Sequence, residues 1–526
     1  MNKKLLFTSF IILFVLFVVG GYFFSIYLST NSKHTIYFEE NGGSIVLDIT
    51  LQIGTVIEPP SDPTKTGFSF GGWYFDSGLT IVYTFTIMPA EDTTLYAKWN
   101  EILPEDDPSD YTYLLLANDT YEITGYIGSN TTLIIPSDYL GKTITSIGSF
   151  AFYECTSLIS VTISSNIINI DYSAFYNCSS LESVTISIGV LFIGQNAFAN
   201  CSSLTEISIP SSVTSIEMDS FLNTSSLMSI TVEDGNQNYS SENGILFNKQ
   251  KTILIVYPIG KTETNFVILS TVTSLGTSAF ANCTSLTNIE IPSTLTSIEP
   301  AAFFNCSNLM SLTVDDENQN YSSENGILFN KQKNILIVYP KGKIDTSYLI
   351  PYSVTTIGPN AFENCNSLTT ITIPTSVTNI DSVAFWNNDS LLNLIVDSEN
   401  QYYSSEEGVL FNKDKTILIM YPKGKTETSY LIPLSVTSIG SNAFANCENL
   451  TSITIPSNVT TIGDVAFYSC IGITSIMIPE SVISMGFYIF EYCDDLVIYA
   501  EATSKPSGWD SAWNSHNLFV VWGYES

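Results

Sequence analysis

Apolar and polar positions alternate along most of this chain inside a longer, very regular period. Phenylalanine stands at 152, 175, 198, 221, 280, 303, 362, 385, 444, 467 and 490, and every successive gap is 23 or 59 residues. A fixed short period predicts a solenoid, in which each unit buries its apolar face only against its neighbours. One unit reads "SLTEISIPSSVTSIEMDSFLNTSSL" from Ser203. Ile207 and Ile209 alternate as a strand requires, Leu204 turns inward just before it, and Thr205, Glu206 and Ser208 point outward. Pro210 ends the strand because it has no N–H to give to a ladder. Val213 and Ile216 then bring the chain back to the core along another side, and Phe221 fills the corner.

The 59-residue gaps carry a second motif: "YSSENGILFNKQKTILIVYPIGK" from Tyr239, "YSSENGILFNKQKNILIVYPKGK" from Tyr321 and "YSSEEGVLFNKDKTILIMYPKGK" from Tyr403. The starts lie 82 residues apart, which is 59 plus 23, so a larger unit has been duplicated together with its small repeats. In each copy two apolar runs flank a polar Asn-Lys turn, which predicts a β-hairpin built into an extra coil.

Ahead of the array the pattern changes twice. Leu5 to Leu28 contains no charge, and these 24 residues would rise ~36 Å as a helix, enough to cross a hydrocarbon core of ~30 Å. Lys3 and Lys4 favour a cytoplasmic N-terminus, so residues 1–28 are expected to form a cytoplasmic stub and transmembrane signal anchor with the bulk of the chain outside. Cleavage of that segment would instead give a secreted protein. Residues 35–100 show short alternating β-branched and aromatic stretches between Asn-Gly-Gly, Pro-Pro, Gly-Gly and Met-Pro punctuation, which predicts a small β module. The acidic, Pro-containing "EILPEDDPSD" of residues 101–110 reads as a linker. The array then occupies 111–496, with a C-terminal cap over 497–526.

Charge narrows the partners. All 18 basic residues are lysine, against 51 Asp and Glu, for a net charge of -33. Such a surface repels phosphate polyanions and lacks the guanidinium fork that reads them, so nucleic acid is excluded as a partner.

The nine cysteines all fall three residues after a repeat phenylalanine: Cys155, Cys178, Cys201, Cys283, Cys306, Cys365, Cys447, Cys470 and Cys493. Thr224 and Asn388 take that place in two further repeats, so the position tolerates other small polar groups. The column reads as structural filler at a tight inner corner. Pairing between stacked coils ~4.8 Å apart is geometrically conceivable as disulfides, although the number is odd. The preceding asparagines, including Asn177, Asn200, Asn282, Asn305, Asn364 and Asn446, suit a left-handed turn. Zinc would need histidine or Cys-x-x-Cys partners, and His34 and His516 are the only histidines. The acidic loops "VEDGNQN" at Val232 and "VDDENQN" at Val314 match a calcium loop poorly and read as solvated turns. No nucleophile, P-loop or HExxH motif appears, so no catalytic residue, metal ligand or cofactor is expected and the chain is not expected to be an enzyme.

Two resemblances follow from these strings. The consensus Ser-Ile-Gly-x-x-Ala-Phe-x-Asn-Cys-x-Ser-Leu-x-x-Ile-x-Ile-Pro, the Tyr-Pro-x-Gly-Lys hairpin units and the tail "KPSGWDSAWNSHNLFVVWGYES" resemble the BspA-like leucine-rich repeat. Phe38 to Gly43, Pro63 to Tyr74 and Leu95 to Trp99 resemble the internalin-type B repeat, also called the Listeria-Bacteroides repeat. The resemblances imply a mainly β fold: a leucine-rich-repeat solenoid of 23-residue coils with inserted hairpins, preceded by a β-grasp-like module that serves as a spacer or interaction unit. They also imply a bacterial surface protein that adheres to host or neighbouring-cell proteins.

On that reading the ligand meets the outward positions of the strand column, which are mainly hydroxyl residues: Thr162, Thr185, Ser208, Thr313, Thr372 and Thr454. A solvated ladder of cross-strand threonine contacts is the plainer reading of the same residues. The expected partner is an extracellular protein, with a polysaccharide ligand or a ligand-free structural role as alternatives. The chain itself is expected to be monomeric and held to the membrane by its N-terminal helix.

Overall fold

The computed structural model describes residues 32–66, 68–101 and 106–525. They fall into two compact units, one ending at Glu105 and one running from Asp106 to the C-terminus. The expected signal anchor lies outside the described residues. Among those residues there is no α-helix, and no helix is long and apolar enough to cross a membrane.

The first unit is one mixed sheet of β1 (Lys33–Glu39), β2 (Ile49–Gln52), β3 (Phe68–Tyr74) and β4 (Thr93–Glu101), ordered β2-β1-β4-β3. The central pair β1 and β4 runs parallel and the outer strands antiparallel. Ile36, Ile57, Trp73, Met88, Leu95 and Ala97 form its core. Trp73 and Tyr74 are both buried there, so these two rings build the module and offer no surface. The Asn-Gly-Gly turn has a steric cause: a Cβ on Gly43 would stand 2.2 Å from the Trp99 ring, whose Nε1 donates to the Glu40 carbonyl at 2.6 Å.

In the second unit the 23-residue coils contribute a longer strand of three or four residues and a two-residue strand. Equivalent strands of successive coils pair in parallel and in register. Ser160–Ile163 lies between Thr132–Ile134 and Ser183–Ile186, and Asn169–Ile170 pairs with Phe192–Ile193. Val161, Ile163, Val184, Ile186, Ile207 and Ile209 point inward and are buried, as the alternation predicts. The third side is a turn holding the repeat phenylalanine. Rings 152, 175, 198 and 221 stack at 4.7, 5.3 and 6.0 Å, within 9° of parallel. Trp513 stands 23 residues after Phe490 and takes the same place in the last coil, 6.4 Å from it.

Residues 106–110, which composition assigns to a linker, are tied into this unit. The Asp106 carboxylate accepts from the Ile134 amide and from the Tyr111 hydroxyl, and Asp107 caps the 3-10 turn Pro108–Asp110. A local excess of acid marks a flexible segment only when nothing offers those carboxylates a donor.

Each hairpin has three strands, one more than the apolar runs predict. Tyr239–Glu242 pairs with Ile245–Asn248, which pairs with Ile253–Val256, all antiparallel. The polar first strand is held through hydroxyls: Ser240 Oγ donates to the Asn248 carbonyl at 3.0 Å, and Ser241 Oγ accepts the Val232 amide at 3.0 Å. The last strand joins the next two-residue strand, Ser274–Leu275, in parallel. Tyr257 then replaces phenylalanine in the stack, 5.4 Å from Phe280, and Tyr339 and Tyr421 do the same beside Phe362 and Phe444. The ring column therefore runs in four segments, each with its own hydrophobic cluster.

The turn at every phenylalanine corner but that of Phe385 takes two left-handed residues, placed two before and two after the ring. Asn196, Asn360 and Asn442 fill the first place and Asn177, Asn200 and Asn446 the second, with φ between 53° and 61°. Asparagine tolerates this region; a β-branched side chain pays about 1–2 kcal/mol for it. Val465 nevertheless stands at the first place with φ 49°. Val465→Asn is expected to stabilise the C-terminal segment by about 1 kcal/mol, read as slower amide exchange around Phe467.

Candidate functional site

The cysteine column is the most regular side-chain constellation in the array, and its geometry explains the residue choice. Every thiol after Cys155 reaches the carbonyl of the ring one coil earlier: Cys178 Sγ to Phe152 at 3.1 Å, Cys201 to Phe175 at 3.2 Å, Cys306 to Phe280 at 3.0 Å, Cys470 to Phe444 at 3.0 Å and Cys493 to Phe467 at 3.1 Å. Behind the hairpins the acceptor is the substituted tyrosine, with Cys283, Cys365 and Cys447 at 3.6, 3.5 and 3.7 Å from Tyr257, Tyr339 and Tyr421. A small apolar group with one weak donor is what this corner needs. Thr224 and Asn388 satisfy the carbonyl of their own coil instead, at 2.6 Å to Phe221 and 2.8 Å to Phe385.

All nine thiols are free, and eight are buried; Cys155, in the first coil of the column, is the partly exposed one. Burial pushes Cys155 and Cys493 up to about 11 and Cys306 to about 12. Because the thiolate is the nucleophile, these shifts slow alkylation at neutral pH. In the folded protein at pH 7.5, iodoacetamide is expected to modify Cys155 first, roughly one to two orders of magnitude more slowly than a free thiol. The other eight should react only after denaturation, as counted by mass spectrometry.

The acidic loops hold a device that their composition hides. Asn236, Asn318 and Asn400 are completely buried. Asn318 Nδ2 donates to the Pro292 and Leu295 carbonyls at 2.7 and 3.0 Å, while its Oδ1 accepts the Asn320 and Tyr321 amides, both at 2.8 Å. Asn236 and Asn400 repeat the arrangement on Pro210 and Val213 and on Pro374 and Val377. Among the described residues no cluster of His, Cys, Asp and Glu is arranged to hold a metal ion.

Thr162, Thr185, Ser208, Thr313, Thr372 and Thr454 all sit at the third, outward position of the long strands, half-buried or exposed. The structure brings neighbours together in register: Thr162 faces Thr185, Ser208 faces Thr231, and Thr372 lies between Leu349 and Ile395. The same row carries what the serine and threonine pattern missed. Val267, Leu349, Ile395, Leu431 and Met477 occupy it with their side chains in solvent, Leu349 at 52% exposure and Leu431 at 69%. These residues look like core residues in the sequence because a strand of three or four apolar letters does not say which letter faces out. The wall is also free of cations. Its strands contain no lysine, and Glu206 and Glu290 are their only charges.

Apart from Lys142, the lysines of the array are gathered instead in the hairpins and the Tyr-Pro-x-Gly-Lys turns. Lys251, Lys333 and Lys415 pair with Glu242, Glu324 and Glu406 across each hairpin. Lys341 differs from them. Its Nζ lies 3.0 Å from Glu363 Oε2 with both side chains almost fully buried, at 6% and 5% exposure. The pair lines a cleft beside the second hairpin. The two histidines belong to different compact units, His34 against Asp92 and His516 against Glu491.

The family models that match the chain agree with this architecture. Residues 129–251, 260–346, 345–424 and 420–500 match the model of the BspA type leucine rich repeat region, in 6 copies. Residues 34–98 match the Listeria-Bacteroides repeat domain. A Gly-rich membrane protein of Evansella cellulosilytica is 45% identical over 69 residues, 13% of this chain and 8% of that protein. A second membrane protein of that organism is 43% identical over 67 residues, so this chain spans only 10% of it. Among solved structures, a leucine rich cell surface protein of Faecalibacterium prausnitzii is 25% identical, with 81% of this chain and 99% of that one covered and a TM-score of 0.38. A leucine-rich repeat protein of Bacteroides ovatus is 19% identical, covering 80% and 100%, with a TM-score of 0.33.

Proposed function

This chain belongs to the BspA-type leucine-rich repeat family, and from that premise we propose that it is a non-catalytic surface protein whose long-strand wall docks an extracellular protein. The observation that carries the reading is the outward row itself: exposed aliphatic side chains at Val267, Leu349, Ile395, Leu431 and Met477 stand among hydroxyls on a rigid, lysine-free sheet. Exposed apolar side chains on a regular wall favour a macromolecular partner over a small solute. They favour protein over polysaccharide for the same reason, since aliphatic surface gains most from meeting aliphatic surface. The first compact unit would act as spacer, and residues 5–28 as the membrane anchor that leaves the array outside the cell.

The test is a panel of extracellular matrix proteins and a glycan array, both probed with the intact protein. Saturable binding to a protein, weakened at least tenfold by Leu349→Lys with Leu431→Lys and unchanged by Thr162→Lys with Thr185→Lys, is the expected result. Glycan binding lost with Thr372→Lys and Thr454→Lys would replace this reading by the polysaccharide one. Self-assembly without either kind of ligand would replace it by a structural role.

A further inference from the structure

The duplicated 82-residue unit provides its own comparison at the joints beside the three hairpins. At the first joint a cleft of about 140 Å³ is lined by Ile216, Phe221, Ile255 and Val256, with Ile259 and Ala281 at the places that Lys341 and Glu363 take one unit later. At the second joint the cleft grows to about 270 Å³, between Ile298, Phe303, Phe304 and Ile337, with Lys341 and Glu363 in its lining. At the third joint the equivalents are Lys423 and Ala445. Lys423 Nζ there finds Asp389 at 2.7 Å and Asn387 at 3.0 Å, and, three residues beyond Ala445, Glu448 at 3.8 Å. Two units thus complete the same joint without an ion pair at these two places, and one unit buries an ion pair in the wall of its larger cleft.

Fold alone does not call for that pair. Removing two charges from water costs more than their mutual attraction returns unless further hydrogen bonds complete them, and a well-packed apolar pair is often as stable or better. The Lys341 ammonium carries three N–H bonds. One donates to Glu363 Oε2 at 3.0 Å, and the Phe304 ring lies 5.1 Å from Nζ on another side. One donor is left for an oxygen atom in the cleft. The walls are mostly aliphatic and aromatic, with the exposed Glu299 and the half-buried Asn360 also in the lining, and the fixed polar pair supplies orientation, which is the composition of a small-molecule site.

We propose that this second-joint cleft binds a small neutral molecule with a compact apolar body and one hydrogen-bonding oxygen, such as a carbonyl or amide. Neutrality follows from the pair: Lys341 and Glu363 already balance each other, and Glu299 is exposed and accepts from Ser297 Oγ, so an ionised ligand seated against the buried pair would bring an uncompensated charge. The site is separate from the wall assigned to the macromolecular partner, and neither proposal rests on the other.

The experiment compares hexanamide, hexanoate and hexylammonium at pH 7.5 by saturation-transfer NMR. It uses the full chain in lipid nanodiscs and the double variant Lys341→Ile, Glu363→Ala, which rebuilds the first joint. Amide exchange of the variant confirms that its segment is folded. Hexanamide is expected to bind the parent at least tenfold more tightly than either ion, and the folded variant at least tenfold more weakly. Equal hexanamide binding by parent and folded variant would overturn the proposal. So would tighter binding of hexanoate or hexylammonium, or no binding of any probe by the parent.

Discussion

Glu363→Gln is expected to destabilise the segment between the second and third hairpins by about 3–5 kcal/mol, because it strands the buried Lys341 ammonium without its counter-charge. The side chain keeps its shape, so packing is not the variable. Lys341→Ile combined with Glu363→Ala should recover most of that loss, since Ile259 and Ala281 do the same work one unit earlier. The segmented core decides how this must be measured. With four hydrophobic clusters divided at the hairpins, unfolding need not be a single transition, and a global midpoint would average over segments. Amide exchange of Tyr339, Phe362 and Ile371 reads the affected cluster directly. A Glu363→Gln protein with unchanged exchange there would show that the ion pair does not hold the joint.

Asn318→Ala is expected to cost at least about 3 kcal/mol, since the Leu295 carbonyl and the Asn320 and Tyr321 amides lose their partner at once, while the Pro292 carbonyl keeps the Leu295 amide, and each buried unsatisfied group is worth about 1–3 kcal/mol. No water can replace the amide easily, because the side chain is completely buried and its four partners converge on one point. Asn236→Ala and Asn400→Ala should lose similar amounts in their own segments. Asn320→Ala, a neighbouring change in the same loop, should be mild by comparison, as its side chain is exposed. Segmental amide exchange again supplies the measurement, and equal effects at Asn318 and Asn320 would rule out the staple.

These two sites were legible to different degrees. The loops "VEDGNQN" and "VDDENQN" show their acids first, and the residue that matters is the asparagine that follows them. Three copies at 82-residue spacing were the available signal, since an Asn kept in every copy of a variable loop invites a structural reason. The Lys341–Glu363 pair gave no such signal: the two residues lie 22 apart, and nothing in either local string says that both turn inward. In the sequence the outward row reads as hydroxyl because Thr162, Thr185 and Ser208 stand in the first coils, while Leu349, Leu431 and Met477 come only in later ones.

The period of 23, the phenylalanine corner, the place of every cysteine and the three inserted hairpins were all determined by the sequence alone. Repetition makes such features visible, because a residue that packs on its own copy must recur at the spacing of the copies. What the tertiary structure decided is whatever depends on the direction of a side chain or on contact between unlike segments. The third strand of each hairpin, the donor on each thiol, the division of the core and the clefts at the joints belong there. Their energies come from the local balance of burial and hydrogen bonding, which a one-dimensional pattern does not encode.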